Sequence, residues 1–375
     1  MKQRFLASTL NLRDGVEVFI YPPCEGKCQV LFLFLGTRRR LKIVCRHQFA
    51  VLLKEIAKDQ SLEASLAQAH LDLDDCTAAF LNFLEGEGIV AFGNPIATDL
   101  LPAAYVEQYK RQMYFLLDVL KQPELAIAAQ KRIFDACIVV LGLGAVGSNI
   151  LQQLCMVGFR HFTIADYAVV EKNDVARTPY AVGREMGKPK TIAAKKLIDD
   201  LAFKPEVQIH DLVLTTQTRI EPLLQNASLI INTADEPYVG YTNIRLSRYA
   251  LQHNVPMVAA GGFDAHLASL GELLIPHVTP CADCYATFFH ENLKNWKPMT
   301  HPVQERSEWF GGLGSLSAFS AATAVLEVLS YFIHPDTPSA AASGGRGEFL
   351  FHDYSLDTFS VERDIHCPSC GEEEQ

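Results

Sequence analysis

Apolar and polar positions alternate in two rhythms along the chain. From Val16 to Val44 the period is two: VEVFIY, a turn at PPCEGK, QVLFLFL, a turn at Gly36 and Thr37, then RLKIV, which predicts three strands. A helical period follows. Phe49, Leu52, Leu53 and Ile56 share one face, a short helix is expected over 62–69, and Asp72 or Asp74 can cap a third helix containing Ala78, Phe80, Leu81 and Phe83. IVAF, after Gly86 and Gly88, reads as a returning strand. These elements predict a small α+β, winged-helix-like unit over residues 1–92.

GNPIATDLLP is linker-like, and one helical region is expected from Ala103 to Phe134, making 93–134 a linker and helical lead-in. From residue 135 strands and helices alternate: CIVVL, helix SNILQQLCMVG, HFTIAD, a helix from Lys190 to Leu201, then VQIHDLV, SLIINTAD and VPMVAAGG. This order predicts an α/β fold for 135–375, with a doubly wound, mostly parallel Rossmann-like sheet. LSAFSAATAVLEVLSYFI is expected to be a core helix, too interrupted by small polar residues to span a bilayer. SAAASGGRG reads as a loop, and EFLFHDY and TFSVERD as two last strands.

A chain of 375 residues has room for two domains, and 49% hydrophobic residues fit a globular protein. The first residues lack a signal-peptide core, and no apolar run nears the roughly 20 residues of a membrane span. A cytoplasmic protein with no membrane partner is therefore expected. A formal charge of −10 opposes non-specific nucleic-acid binding, and the one tight basic cluster, Arg38, Arg39 and Arg40, is expected to be a solvated hairpin edge.

Of ten cysteines, Cys45, Cys76, Cys137 and Cys155 lie in apolar periodic stretches and are expected in the core. Cys24 and Cys28 flank an apparent turn for which no two further metal ligands can be found. Cys281 with Cys284 and Cys367 with Cys370 form two Cys-x-x-Cys pairs. Four thiolates suit tetrahedral zinc with no open coordination position, so a structural clamp between the C-terminal tail and the loop after LLIP is predicted.

Gly142, Gly144 and Gly147 make a G-x-G-x-x-G run between strand CIVVL and the next helix, and Asp166 ends the following strand. Such a loop lets backbone approach a phosphate at a helix N-terminus, while the acidic residue accepts from a ribose hydroxyl. This much serves NAD as well as ATP, and taken alone it favours an NAD-dependent oxidoreductase.

Further residues resemble the E1-like adenylating enzymes of the ThiF/MoeB superfamily, over about Tyr105 to the C-terminus. YKRQMYFL is similar to the family's R-x-x-R-Q segment, with Arg111 and Gln112 at its Arg-Gln. EKNDVAR resembles the end of its SNLNRQ pattern with Arg177 at the arginine, GKPK places Lys190 at the phosphate-binding lysine, and INTADEP places Asp235 at the catalytic, magnesium-associated acid. The chain departs from the pattern at Ala168, where a second acid is common, and at Asp174, where the family has asparagine. The resemblance implies ATP and Mg2+ as cofactors, structural Zn2+ on the cysteine pairs, and a homodimer in which Arg111 acts in trans. Relatives with a covalent cysteine carry it between the first knuckle and the last helix. Here no cysteine occurs from Tyr285 to His366, so direct attack on an acyl adenylate is expected.

Three strands followed by three helices resemble the precursor-recognition element fused to adenylating enzymes of peptide-antibiotic biosynthesis, the microcin and pantocin types. The resemblance implies that a ribosomally made precursor peptide binds there by strand addition. Its expected fate is adenylation of a carboxylate, a Glu side chain in the pantocin manner with dehydration and cyclisation. Alternatives are activation of a peptide or carrier-protein C-terminus, as in microcin-type or MoeB/ThiF-like enzymes, and, in other classes, the oxidoreductase or a non-catalytic binding module. Asp174, Arg245, Arg248, His290 and His301 stand as candidate peptide contacts.

Overall fold

In the computed structural model, which describes residues 10–371 apart from 59, 181, 236–238, 261–262, 265–266, 294–311, 336 and 338–344, the chain forms two compact units, Met1–Ala128 and Ala129–Gln375. In the first, β1 (Leu10–Leu12) pairs antiparallel with β5 (Val90–Phe92), while β2 (Val16–Ile20), β3 (Lys27–Phe34) and β4 (Arg39–Arg46) form an antiparallel meander. The period of two is obeyed. Cys28, Val30, Phe32 and Phe34 of β3 are buried on one face, alongside Leu41, Ile43 and Cys45 of β4. IVAF thus returns, but to β1 and not to the meander.

Helices α1 (His47–Ile56), α2 (Leu62–Gln68) and α3 (Asp75–Gly86) cover that face. Asp74, not Asp72, caps α3, its Oδ1 accepting from the Thr77 N–H at 2.8 Å. Ala78, Leu81 and Leu84 then point inward and leave Phe83 exposed.

The helical region expected over Ala103 to Phe134 is broken into α4 (Ala103–Gln108), α5 (Lys110–Leu120) and α6 (Pro123–Asp135). Lys121 turns left-handed (φ 65°) and donates its N–H to Leu117 O, ending α5, and Pro123 opens α6, where a missing N–H costs nothing.

The second unit is built on a six-stranded sheet of order β13-β10-β9-β6-β7-β8. Its members are β6 (Cys137–Leu141), β7 (His161–Asp166), β8 (Glu206–Asp211), β9 (Leu229–Asn232), β10 (Met257–Ala259) and the antiparallel edge β13 (Glu272–Leu274). All other pairings are parallel. Helices α7 (Ala145–Met156) and α8 (Val182–Glu185) follow β6 and β7, and α9 (Lys190–Leu201) leads to β8. Helix α10 (Glu221–Leu224) precedes β9, and α11 (Val239–His253) links β9 to β10. Strands β11 (Phe263–Asp264), β12 (Leu267–Ser269), β14 (Gly345–Leu350) and β15 (Ser355–Ser360) make a second sheet, and α12 (Ala282–Leu293) and α13 (Gly314–Ile333) complete the unit. The fold is therefore the mostly parallel, doubly wound α/β arrangement that the alternation predicts.

Helix α13 is long and apolar enough to cross a membrane by length and composition. Here its Ala321, Ala324, Val325 and Val328 are buried in one core with Ile150, Leu151 and Leu154 of α7, and Arg132 donates to the Phe332 and Ile333 carbonyls at its C-terminus. Of the four cysteines expected in the core, Cys76 is a correction outright and Cys45 and Cys137 are corrections in part. Cys155 is buried and Cys76 is exposed, because the inward stripe of α3 falls on Thr77 and Ala78, while Cys45 and Cys137 are half-buried.

Candidate active site

Strand order reverses about β6, whose neighbours are β9 and β7, so a crevice opens at their carboxyl ends. Leu141, Gly142, Asp166, Tyr167, Leu212, Leu214, Ala234 and Asp235 line it. Gly142 is left-handed (φ 87°), and a Cβ there would stand 2.7 Å from Thr233 Oγ1. A Cβ on Gly147 would lie inside contact distance of Gly142 O and 2.5 Å from Thr233 Oγ1. Gly144 differs: the space beside it is open, and it begins α7 with no side-chain cap, leaving the first N–H groups of the helix to meet an anion.

The loop is pinned from three sides. Thr233 Oγ1 donates to Gly142 O at 2.7 Å, Tyr180 Oη donates to Leu143 O at 2.8 Å, and Leu143 N–H donates to Asp166 Oδ2 at 2.6 Å. Burial, with the Asp166 charge nearby, pushes the Tyr180 hydroxyl well above its ordinary range, so it stays a donor. Thr233 and Tyr180 carry no signal in the sequence, because their roles depend on contacts 91 and 37 residues away.

Asp166 also accepts the Ala168 N–H at 2.7 Å, and Ala168 O accepts the Lys190 N–H at 2.9 Å, so the acid at the end of β7 is tied to the first residue of α9. Lys190 is buried, with its Nζ 3.5 Å from Asp174 Oδ2. Arg177 Nη2 lies 3.2 Å from Asp174 Oδ1, and Asn149 of α7 donates to Arg177 O at 3.0 Å. Asp174 is fully buried and joins the two cations. Its expected role as a peptide contact is therefore corrected.

Asp235 is exposed at the rim of the crevice, three residues past the end of β9. Arg111 lies exposed on α5 in the other unit. The structure thus brings Gly142, Asp166 and Asp235 around one crevice, with Gly144 and Gly147 in its loop and Arg177 and Lys190 joined beside it.

Among the other candidate peptide contacts, Arg245 bonds the Thr215 and Thr218 carbonyls, and Arg248 makes a two-pronged pair with Asp283 at 2.8 and 3.0 Å. Both are occupied structurally. His290 is exposed on α12, and His301 lies outside the described residues.

The four paired cysteines converge. Cys281, Cys284, Cys367 and Cys370 are all buried, with their sulfurs within 4.8 Å of one another. Three of the separations are 3.8, 3.6 and 3.4 Å. Four sulfurs about 2.3 Å from a tetrahedral zinc stand about 3.8 Å apart, so the set fits zinc with slight adjustment and leaves no position for substrate. Around it Asp283 holds Arg248 and Ser369 Oγ (2.5 Å), and Arg363 donates to Cys370 O at 2.6 Å.

The ThiF family profile matches residues 109–367. The sulfur carrier protein adenylyltransferase of Thermus thermophilus is 25% identical over 276 residues, 72% of this chain and 92% of that protein. The crystal structure of E. coli MccB with ATP aligns with a TM-score of 0.65 at 17% identity, covering 97% of this chain and 99% of that one. PaaA aligns at 0.68 and 17%, covering 94% and 100%. These two likenesses show a shared fold over nearly the whole chain.

Proposed function

The chain belongs to the ThiF family, an E1-like group of the ThiF/MoeB superfamily, and from that premise we propose that it adenylates a carboxylate of a ribosomally made precursor peptide. The observation that carries this reading is the pair Arg177 and Lys190 held on one buried carboxylate, Asp174, beside the glycine loop and Asp235. A hydride transferase has no need of such a set.

The peptide carboxylate oxygen attacks the α-phosphorus of ATP. A C–O–P linkage forms, the bond to the β-phosphate bridging oxygen breaks, and pyrophosphate leaves with the electron pair. An anion approaches a polyanion, so fixed positive charge lowers the barrier. The loop N–H groups at Gly144 hold phosphate, Asp166 orients the ribose, and Arg177 and Lys190 meet the charge on the transferring group. Mg2+ fits the single exposed carboxylate of Asp235 and would neutralise phosphate oxygens. Zn2+ on Cys281, Cys284, Cys367 and Cys370 would hold the tail without touching the chemistry.

The three-stranded meander and its helices are the proposed seat of the precursor peptide, added as a further strand. The preferred carboxylate is a Glu side chain, activated for attack by an amide and loss of water. A second copy supplies Arg111 in trans, and the enzyme acts in the cytoplasm. A second reading, activation of a carrier-protein C-terminus, is favoured by the Thermus relative, which is named for that activity.

Pyrophosphate release on mixing the protein with ATP, Mg2+ and candidate peptides tests the proposal. Release that needs the peptide and is abolished in Arg177→Ala and Asp235→Ala is expected. Tight NAD binding with no pyrophosphate under any of these conditions would overturn it.

A further inference from the structure

The basic residues of β4 fall into two groups. Arg39 is accounted for: its guanidinium stacks 3.8 Å from the Phe34 ring centroid and donates to the Glu87 carboxylate and carbonyl at 2.6 and 2.8 Å. Arg40, Lys42 and Arg46 are all exposed, and none of their side chains has an ionic or hydrogen-bonding partner among the described residues. They stand at alternate positions of β4 with the exposed Val44 (65%) among them, in a chain of formal charge −10. Three unneutralised cations in one row, on a protein with an excess of acid, make a local field of the wrong sign for the whole.

The backbone of the same residues faces outward. Tyr21 N–H donates to Gln29 O, so the peptide groups of Gln29 point to β2, and those of its neighbours Cys28, Val30, Phe32 and Phe34 point to β4. Their partners there are Cys45, Ile43, Leu41 and Arg39. Arg40, Lys42 and Val44 lie between these, so they present N–H and C=O to the outer edge of β4, which no strand pairs among the described residues. Their side chains also share the solvent face, since Leu41, Ile43 and Cys45, the residues alternating with them, pack against the core. A strand added here bonds to Arg40, Lys42 and Val44, and sets its alternate side chains directly opposite theirs.

We propose that β4 reads an acidic, extended peptide through a charge code: acidic side chains opposite Arg40, Lys42 and Arg46, and an apolar one opposite Val44. This deepens the proposed function and rests on its reading that a precursor adds as a strand. The code is acid-x-acid-x-apolar-x-acid for a parallel strand, and acid-x-apolar-x-acid-x-acid for an antiparallel one. The peptide is therefore recognised by residues spaced two apart, with its intervening side chains turned to the core side of the sheet.

Panning a displayed library of random 12-residue peptides on the full-length protein, then measuring the selected peptides by fluorescence anisotropy, tests this. Enrichment of either code is expected. Changing the acids of a selected peptide to amides should weaken it about 10-fold, from two or more cross-strand charge pairs. The exposed double variant R40E/K42E should lose the acidic peptides and gain those with Lys at the same positions. Methylating the peptide amides that face β4 tests strand addition separately. Selected peptides that tolerate R40E/K42E but fail on N-methylation overturn the charge code and leave strand addition standing. Absence of any saturable peptide overturns both, and the basic row then serves only to keep edges of neighbouring molecules apart.

Discussion

Lys190 Nζ lies 3.5 Å from Asp174 Oδ2, and that carboxylate is completely enclosed. A buried charge is tolerated only where it is paired. Asp174 has two cationic partners, since Arg177 occupies its other oxygen, and its Oδ2 also accepts the Glu171 N–H at 3.0 Å. One residue thereby fixes the direction of both cations.

Asp174→Ala is expected to lower pyrophosphate release by about 100-fold or more if Arg177 and Lys190 act on the phosphate as proposed, the effect of displacing positioned groups. Stability should fall by about 3 kcal/mol, because Lys190 is left buried without a counter-charge. Asp174→Asn restores the residue of the family pattern and keeps an acceptor, so its activity should stay within about 10-fold of the parent. Equal loss in both variants, at unchanged melting temperature, would show that the charge and not the geometry is required.

The glycines of the loop should separate folding from binding. Gly147→Ala forces a Cβ onto Gly142 O and Thr233 Oγ1, and should destabilise the chain by about 3 kcal/mol, read by denaturant melts. Gly144→Ala meets open space, so its melt should match the parent while ATP binding, followed by calorimetry, weakens. A normal ATP affinity in folded Gly144→Ala would remove that position from the phosphate site.

Elemental analysis of gently purified protein should find about one zinc per chain. Chelation, or Cys367→Ser with Cys370→Ser, should free the tail to proteases and lower the melting temperature by more than about 5 °C. Protein that holds no zinc yet melts identically after chelation would refute the clamp.

Two carboxyls lie buried near the β13 edge. Burial raises Glu272 to about 7, although Arg346 Nε is 2.9 Å away and opposes the shift. Burial and Glu272 together raise Glu327 of α13 to about 8. Both are raised above their unfolded values. Their protonated forms therefore contribute stability that is fully present below about pH 4.5 and lost as pH rises through about 7 to 8. The shifts correspond to about 3 kcal/mol for Glu272 and about 5 kcal/mol for Glu327, and the two are coupled, so they do not add. Melts from pH 5 to 9 should fall in the parent and flatten in Glu327→Gln. A parallel decline in both would exclude Glu327 as the cause.

The extent of the fold that could be read from sequence follows the range of the forces involved. Periodicity is local, so the β2–β3–β4 meander, the helices after it, and the β/α alternation from Cys137 onward were legible in advance. Boundaries that hinge on one backbone conformation were less so: Lys121 in a left-handed state splits a helical region that the apolar pattern shows as continuous.

At the site, residue type and spacing named the glycine loop, Asp166 and both cysteine pairs, each a chemical requirement written in nearby residues, whereas Arg177, Lys190 and Asp235 were named only by the resemblance to the E1-like family. Local order was thus enough to specify the layered α/β class and this inventory of charges and thiols. Long-range packing was needed to make Asp174 the buried joint between two cations, to lock the loop with Thr233 and Tyr180, and to turn Arg40, Lys42 and Val44 outward in both side chain and backbone. Those facts depend on which distant segments exclude water from a group, and burial is a property of the folded chain, not of its neighbouring residues.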